Sequence, residues 1–489
     1  VTTSPANPLS FEERLDESPI TRTMWLLWLL SAGLIALDGF DFFIIGVAIP
    51  FLKQDFGLDA TAIGAVATAA VAGSLVGSLT LGPITDRVGR QLMLIVDVAI
   101  FVIATAGTAL AWDATSLIAF RFFVGVGIGA DYPISVSYIT ENVPARLRGR
   151  MVIGAFTFQA VGALLGALTG VATLFIFKAL YPATDQMAIQ YAWRWMLGVG
   201  VLLAIAVAIV RLSFSLESPR YYISRGEYAE ASDAATQLLE TPMTITADRE
   251  PAIASERPTY VTLFNSHHRR STLLASVPWF LQDIATYGVG IFTPAIVGML
   301  AFTGEQDFIL REINSAKGSA VVDLFLILGF LSAIFLVEKL GRIRLQIIGF
   351  VGMAVGLSIL ASSSLLPTGS RSEFLVVITG FWVFNLLMNA GPNATTFLLS
   401  GEVFPTSMRA TGAGFAAAFA KAGAVLGTFV LPILQKTWGV PLLLIALSVC
   451  CLTAAVMTFI FRIETAGQSL ETVQLLEAEL EKATVTTEN

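Results

Sequence analysis

Apolar runs of about 20 residues, the length a helix needs to cross a bilayer, recur along this chain with short polar turns between them. They predict spanning helices near 24–50, 60–82, 92–112, 115–139, 150–177, 195–214, 271–300, 318–338, 345–366, 374–400, 410–433 and 440–462, twelve in two sets of six. Between the sets lies a polar stretch, 215–270. It holds an amphipathic pattern in EYAEASDAATQLLE, a Pro- and Thr-rich linker, and then His267, His268, Arg269 and Arg270. After Ile463 a second amphipathic pattern follows, LETVQLLEAELEKA. The expected organisation is a tail at 1–23, a first bundle at 24–214, a central loop at 215–270, a second bundle at 271–462 and a tail at 463–489.

Composition agrees with the pattern. Hydrophobic residues fill 55% of 489 positions and mean hydropathy is +0.76. Charged residues are 13%, against ~25% in soluble domains. A water-soluble fold could not hide so much apolar surface, so an all-α membrane protein is expected. The net charge of −7 says nothing of orientation, which follows the Lys/Arg bias between loops. Loops after the even-numbered spans hold Arg87 and Arg90, then Arg146, Arg148 and Arg150, then Arg220, Arg225, Arg269 and Arg270, then Lys339, Arg342 and Arg344, then Arg409. The opposite loops hold Lys53, Lys178, Arg311, Lys317, Arg371 and Lys436, fewer per loop. The bias places both termini and the central loop in the cytoplasm, in a plasma membrane of the bacterial inner-membrane kind. Phe11, Glu12, Glu13 and Arg14 make a polar, acidic start without a basic leader region. No cleaved leader is expected, and the first span is expected to stay. Cys450 and Cys451 are adjacent in an apolar run. Their side chains diverge on a helix, so they read as small core or lipid-facing residues.

The two sets of six carry the same punctuation. Glu141, Pro144, Arg148, Gly162 and Gly166 recur as Glu402, Pro405, Arg409, Gly423 and Gly427 at one offset of 261 (402 − 141). Upstream, Asp86, Gly89 and Arg90 in TDRVGRQLM recur as Glu338, Gly341 and Arg342 in VEKLGRIRL. Parallel repeats in a membrane chain predict alternating access around a site between the halves. Charges at these helix ends, Asp86, Arg87, Arg90, Glu141, Arg148, Glu338, Arg342, Glu402 and Arg409, can pair across the halves and hold one state closed. Glu141 with Arg148 and Glu402 with Arg409 invite that gate reading. The plainer alternative is loop topology alone.

Five strings in order, GPITDRVGR, RFFVGVGIGADYP, ENVPARLRGR, LESPR and ETAGQSLE, resemble the signatures of the major facilitator superfamily, on its sugar-porter and metabolite-symporter side. The resemblance covers nearly the whole chain. It implies two six-helix bundles around a central cavity and rigid-body rocking between inward-open and outward-open states.

Ionisable residues inside spans are costly and point to function. Asp38 and Asp41 share a face of the first span, and Arg121 and Asp131 lie in the fourth. Two carboxylates in low dielectric cannot both ionise cheaply, which suits proton loading. Arg121 keeps its charge and can serve as the counter-ion. A static buried pair is the alternative. Asp131 is a second proton carrier, in a Gly-rich run where Pro133 predicts a helix distortion. In the seventh span Trp279, Asp283 and Tyr287 recur every four residues, a polar-aromatic stripe expected to face a cavity. Lys421, among small residues in the eleventh span, can attract an anion or pair with an acid. Asp97 reads as structural, Asp323 as close to the start of its span, and Arg211 as reaching the cytoplasmic surface.

A narrower resemblance joins these. Tyr132, Gln159, Trp279, Asp283, Tyr287, Asn393 and Lys421, within GADYPIS, WFLQDIATYG and GPNATTFLLSGEVFPTSMRATGAG, look like the binding set of proton-coupled phosphate symporters. That resemblance implies proton movement through Asp38, Asp41 and Asp131. Two departures keep a sugar or organic acid open as substrate. Ala130 stands where those symporters usually have glycine, and LDGFDFF also resembles porters of organic acids. A sensor on the same fold is a further alternative. Only His267 and His268 are present, both in the central loop, so His-based catalysis or a metal cluster in the bilayer is not expected. No Walker loop is present. The expectation is no enzyme, no cofactor, no metal and no nucleic-acid partner. Its partners are a small-molecule substrate, protons and the lipid bilayer, and the chain works as a monomer.

Overall fold

A computed structural model describes residues 10–181, 185–214, 216–247, 259–290, 307–367 and 370–468, and among them there is no strand. The first half holds α1 (Phe11–Glu17), α2 (Arg22–Asp55), α3 (Ala60–Val88), α4 (Arg90–Ala109), α5 (Ala114–Asn142), α6 (Ala145–Leu180) and α7 (Gln186–Ser213). The stretch between halves holds α8 (Pro219–Arg225) and α9 (Tyr228–Leu239). The second half holds α10 (Arg269–Gly290), α11 (Phe308–Leu340), α12 (Arg342–Ser362), α13 (Arg371–Ala390), α14 (Pro392–Glu402) and α15 (Arg409–Phe461). Eleven stretches of the described chain are long and apolar enough to cross a membrane. Of the expected span at 271–300, α10 represents the part up to Gly290, and the rest lies outside the described residues.

Helix ends follow local chemistry. Asp59, Asp113 and Asp307 cap three helices, accepting from the N–H of Ala62, Ser116 and Leu310 at 2.7, 2.7 and 2.8 Å. These acceptors satisfy N–H groups that have no partner inside the helix. Gly89 and Gly341, at φ of 101° and 82°, end one helix and start the next without a break in the chain's path. A side chain is strained at such a φ. Gly439, at φ 76°, divides α15 into the last two expected spans. Pro392 lacks the N–H a continuing helix requires, and the tenth span breaks at Gly391 into α13 and α14.

Most helices outrun the apolar runs that predict them, because a polar residue continues a helix wherever its end can be solvated or capped. Arg311 and Lys317 therefore sit on the first turns of α11 and not in a loop. Asp323 lies in the middle of α11, buried, with Oδ2 unpartnered. Arg211 does not reach the surface: it is buried 5.1 Å from the Tyr138 ring. Pro133 does not interrupt α5, which stays helical from Ala114 to Asn142. The amphipathic pattern in the central stretch is α9. It buries Ala231, Ala234, Ala235, Leu238 and Leu239 on one face, and Thr21 donates to its Leu238 carbonyl at 2.7 Å. The pattern after residue 469 lies outside the described residues.

Within the halves α2 packs on α6, α3 on α5 and α10 on α15; between them α6 packs on α11 and α3 on α15. Small residues set these distances. A Cβ at Gly162 of α6 would lie 1.9 Å from the Ala36 carbonyl of α2. Gly162→Val is therefore expected to force the helices apart at a cost of about 1–3 kcal/mol. A melting curve of the detergent-solubilised protein checks this, and an unchanged midpoint would refute the close packing.

Candidate functional site

At the end of the bundle that carries the arginine-rich loops, buried charges join the two halves. Glu141 on α5 accepts from Arg90 of its own half at 3.0 Å and from Arg409 of the other half at 2.9 Å. Arg90 also reaches Asp86 at 3.0 Å and the Thr406 carbonyl at 2.9 Å. Asp86 accepts from the Ala410 N–H, the Thr411 N–H and the Thr411 hydroxyl at 3.2, 2.7 and 2.7 Å. The second half repeats the motif with its ion pairs kept within that half, while Glu402 also bears on Arg148 of the first half. Arg342 pairs with Glu402 at 3.0 Å and Glu338 at 2.7 Å, and Thr465 donates to Glu402. The expected pairings are thus exchanged. Glu141 does not take Arg148, and Glu402 does not take Arg409. Arg148 points to Glu12 at 4.0 Å and to the Gln468 carbonyl at 3.2 Å. Arg87 contributes its carbonyl, which accepts from Tyr221 and Arg225 at 3.1 and 3.0 Å.

Two carboxylates of this region were not singled out by the sequence. Glu217 accepts from the Gln91 N–H at 3.0 Å, beside Gly89. Glu464 accepts from the Arg342 N–H at 2.9 Å, beside Gly341. Each sits at a helix N-terminus, where an anion is stabilised. Burial pushes the Glu217 carboxyl up, with the Arg90 guanidinium pulling it down. The available signal was their parallel place in LESPR and ETAGQSLE.

At the opposite end the halves touch again. Lys178 of α6 pairs with Asp307 at 2.5 Å, and the Phe51 and Phe308 rings meet at 5.2 Å. Among the described residues the two halves thus meet at both ends of the bundle.

Between these ends the predicted binding residues converge. Lys421 on α15 donates to Asp283 Oδ2 and to the Tyr287 hydroxyl, both at 3.0 Å. Its ammonium also lies 4.8 Å from the Tyr287 ring and 5.6 Å from the Tyr132 ring. Gln159 of α6 donates to the Tyr132 hydroxyl at 2.9 Å, so both halves surround the ammonium. Trp279 crosses Phe397 edge-on at 4.6 Å, and Phe397 stacks on Phe156 at 3.9 Å. Asn393 takes a bond from Gln282 at 3.0 Å and gives one to Asn389 at 2.7 Å. The stripe Trp279, Asp283, Tyr287 faces inward as its spacing predicts. Gln282, Asn389, Phe156 and Phe397 are further members. Asn389 lies one turn before Asn393, a readable signal, whereas the two phenylalanines are indistinguishable in sequence from lipid-facing ones.

The intramembrane acids divide into two groups. Asp41 pairs with Arg121 at 3.3 Å, and Arg121 also donates to the Val66 carbonyl at 3.3 Å. Asp38 leaves this pair aside. It is buried with Oδ2 unpartnered, and its electrostatic neighbours are Asp131, Asp97, Asp41 and Lys421. Asp131 accepts from the Ser135 hydroxyl at 2.7 Å, with its other oxygen unpartnered. Asp97, also buried with an oxygen unpartnered among the described residues, lies beside Asp131 in this acid cluster. Buried carboxylates without bonds cost free energy. The cluster therefore supplies groups whose charge state can change. Cys450 and Cys451 are free thiols in α15.

Residues 28–476 match the family model described as sugar (and other) transporter. A low affinity inorganic phosphate transporter 4 of Medicago truncatula is 28% identical over 452 residues, covering 85% of each chain. The inner membrane metabolite transport protein YgcS of Escherichia coli (strain K12) is 29% identical over 456 residues, covering 92% of this chain and 94% of that one. The solved proton:xylose symporter XylE superposes with a TM-score of 0.76 at 19% identity, covering 94% of this chain and 100% of that one. The match over most of the chain and the helical bundle lead to one conclusion: this protein belongs to the sugar (and other) transporter family and is a multi-pass membrane transporter with the fold of the major facilitator symporter it superposes on.

Proposed function

We propose that this chain carries inorganic phosphate together with protons. The observation that carries the reading is the buried Lys421 ammonium, held by Asp283 and Tyr287 between the halves. A buried ion pair contributes little net stability, so its placement between the halves points to use. Dihydrogen phosphate matches this set of groups. Lys421 meets the anionic oxygens, and Tyr132, Gln159, Trp279, Tyr287 and Asn393 supply donors. Asp283 repels a bare anion but accepts from a phosphate hydroxyl. Sulfate has no such proton at neutral pH and is disfavoured.

In this reading the halves, 24–214 and 271–462, rock about the site, with the arginine-rich loops and both tails on the cytoplasmic side. The Arg90–Glu141–Arg409 cluster is the cytoplasmic gate, and Lys178 with Asp307 marks the other closure. Protons load on the acids Asp38, Asp97 and Asp131 beside the site, while Arg121 holds Asp41. The name of the Medicago relative supports phosphate. A second reading rests on the Phe156–Phe397 stack and Trp279, an aromatic platform of the kind a sugar ring or organic acid uses.

The test is uptake into proteoliposomes of labelled phosphate, xylose and an organic acid. Phosphate is expected to accumulate, with sulfate failing to compete, and Asp283→Asn is expected to narrow the preference over sulfate. Accumulation of xylose or the organic acid without phosphate would overturn the phosphate reading in favour of the second.

A further inference from the structure

Arg211, at the arginine-loop end of α7, is 1% exposed, and among the described residues its Nε, Nη1 and Nη2 make no well-formed hydrogen bond. A guanidinium has five donors in a fixed fork, and leaving them empty in the interior is costly. Its neighbour is Tyr138 on α5, whose ring lies 5.1 Å away and whose hydroxyl also bears on the guanidinium. Asp131, Ser135 and Tyr138 follow at i, i+4 and i+7, so they lie along one face of α5. Ser135 donates to Asp131 Oδ1 at 2.7 Å, while Asp131 Oδ2 has no partner. Tyr138 donates to the Leu216 carbonyl just beyond α7.

An ion pair is thus present in its parts and not made. The charged groups that bear on Asp131 from the elements around it are Asp38 on α2, Asp97 on α4 and Arg211 on α7. The first two are acids, and Arg211 is the cation. On the other side Glu217 and Arg211 both bear on Tyr138.

We propose that Arg211 is the counter-ion that receives Asp131 after Asp131 has released its proton at the arginine-loop end. The Asp131 O–H bond breaks, the proton passes to water admitted when that end opens, and the carboxylate left behind pairs with the guanidinium. Ser135 and Tyr138 make the polar line between them. In the arrangement described here the guanidinium lies against the Tyr138 ring, without an ion pair to Asp131. The pair makes the return of a proton from that side unfavourable and so gives coupling its direction. Arg211 acts through Asp131 and does not touch substrate; it is a positioning residue. The inference rests on the proton-coupled reading above.

The experiment uses the full chain in vesicles loaded with a pH dye, with labelled phosphate and, as a second solute, xylose. Arg211→Gln is expected to keep solute exchange in the absence of a gradient. It is expected to lose gradient-driven accumulation by about tenfold or more, within the range of an ordinary coupling free energy. Arg211→Lys is expected to restore accumulation. Accumulation by Arg211→Gln at the wild-type level would overturn the proposal, as would loss of exchange and accumulation together in Arg211→Lys, which marks a structural role. If Arg211→Gln does not fold, Arg211→Lys and Tyr138→Phe carry the test, with accumulation kept in the first and reduced relative to exchange in the second. Should neither solute move protons with the wild-type chain, the proton-coupled reading fails and this inference falls with it. Coupled transport by the wild type that survives Arg211→Gln sinks this inference alone.

Discussion

Removing the Lys421 ammonium is expected to abolish phosphate accumulation, with uptake by Lys421→Ala falling about 30-fold or more, the cost of losing one partner of a buried charge pair. The geometry concentrates the effect on this one group. Lys421 is the cation that meets Asp283 and Tyr287 and lies against the ring of Tyr132 from the other half. Without it the site presents a carboxylate and neutral donors to an anion. The same change leaves Asp283 buried and unpaired, and breaking a buried pair costs about 3–5 kcal/mol. Stability and transport separate in the double variant. Lys421→Met with Asp283→Leu removes both charges and is expected to recover the melting temperature but not uptake. Uptake that returns with stability would show that the pair only holds the fold.

The second large effect is at the proposed gate. Glu141→Gln is expected to shift the chain toward the state open at the arginine-loop end. Glu141 takes Arg90 of its own half and Arg409 of the other, so opening there breaks the Arg409 pair, and removing the Glu141 charge weakens the closed state alone. A loss of about 3 kcal/mol in that state shifts the population about 100-fold. Ser137 is buried on α5. In a chain lacking Cys450 and Cys451, Ser137→Cys should react about tenfold or more faster with a membrane-impermeant thiol reagent once Glu141→Gln is added. Glu402→Gln is the control, because Glu402 pairs with Arg342 and Thr465 of its own half. It should lower stability and leave the Ser137→Cys rate unchanged. Equal rates in all three chains would show that the Glu141 cluster is not a gate.

Much of this arrangement is legible in one sequence, for physical reasons. Apolar run length reports a span directly, since the bilayer sets the length. The stripe Trp279, Asp283, Tyr287 is readable because a carboxylate cannot face lipid. The repeated Glu, Gly and Arg residues locate the charged cluster at one end of the bundle, but they cannot say which repeat crosses between halves. Glu141 reaches Arg409 whereas Glu402 stays with Arg342, a difference that depends on how the halves dock. Asp323 in mid-helix and the buried Arg211 depart from the expectation for a related reason. Position along a span does not tell whether a charge can reach the surface or is covered by a neighbouring helix. The aromatic floor of Phe156 and Phe397 carries no signal, because thirty-four phenylalanines are spread through the chain and only the fold selects two.

The most direct measurement records phosphate and proton entry together in proteoliposomes containing the wild-type chain. Phosphate added outside is expected to acidify the interior as it enters. An imposed inward proton gradient should raise accumulation, and a protonophore should remove it. Phosphate entry that is indifferent to the gradient and moves no protons would contradict the account, as would proton entry driven by xylose while phosphate stays outside.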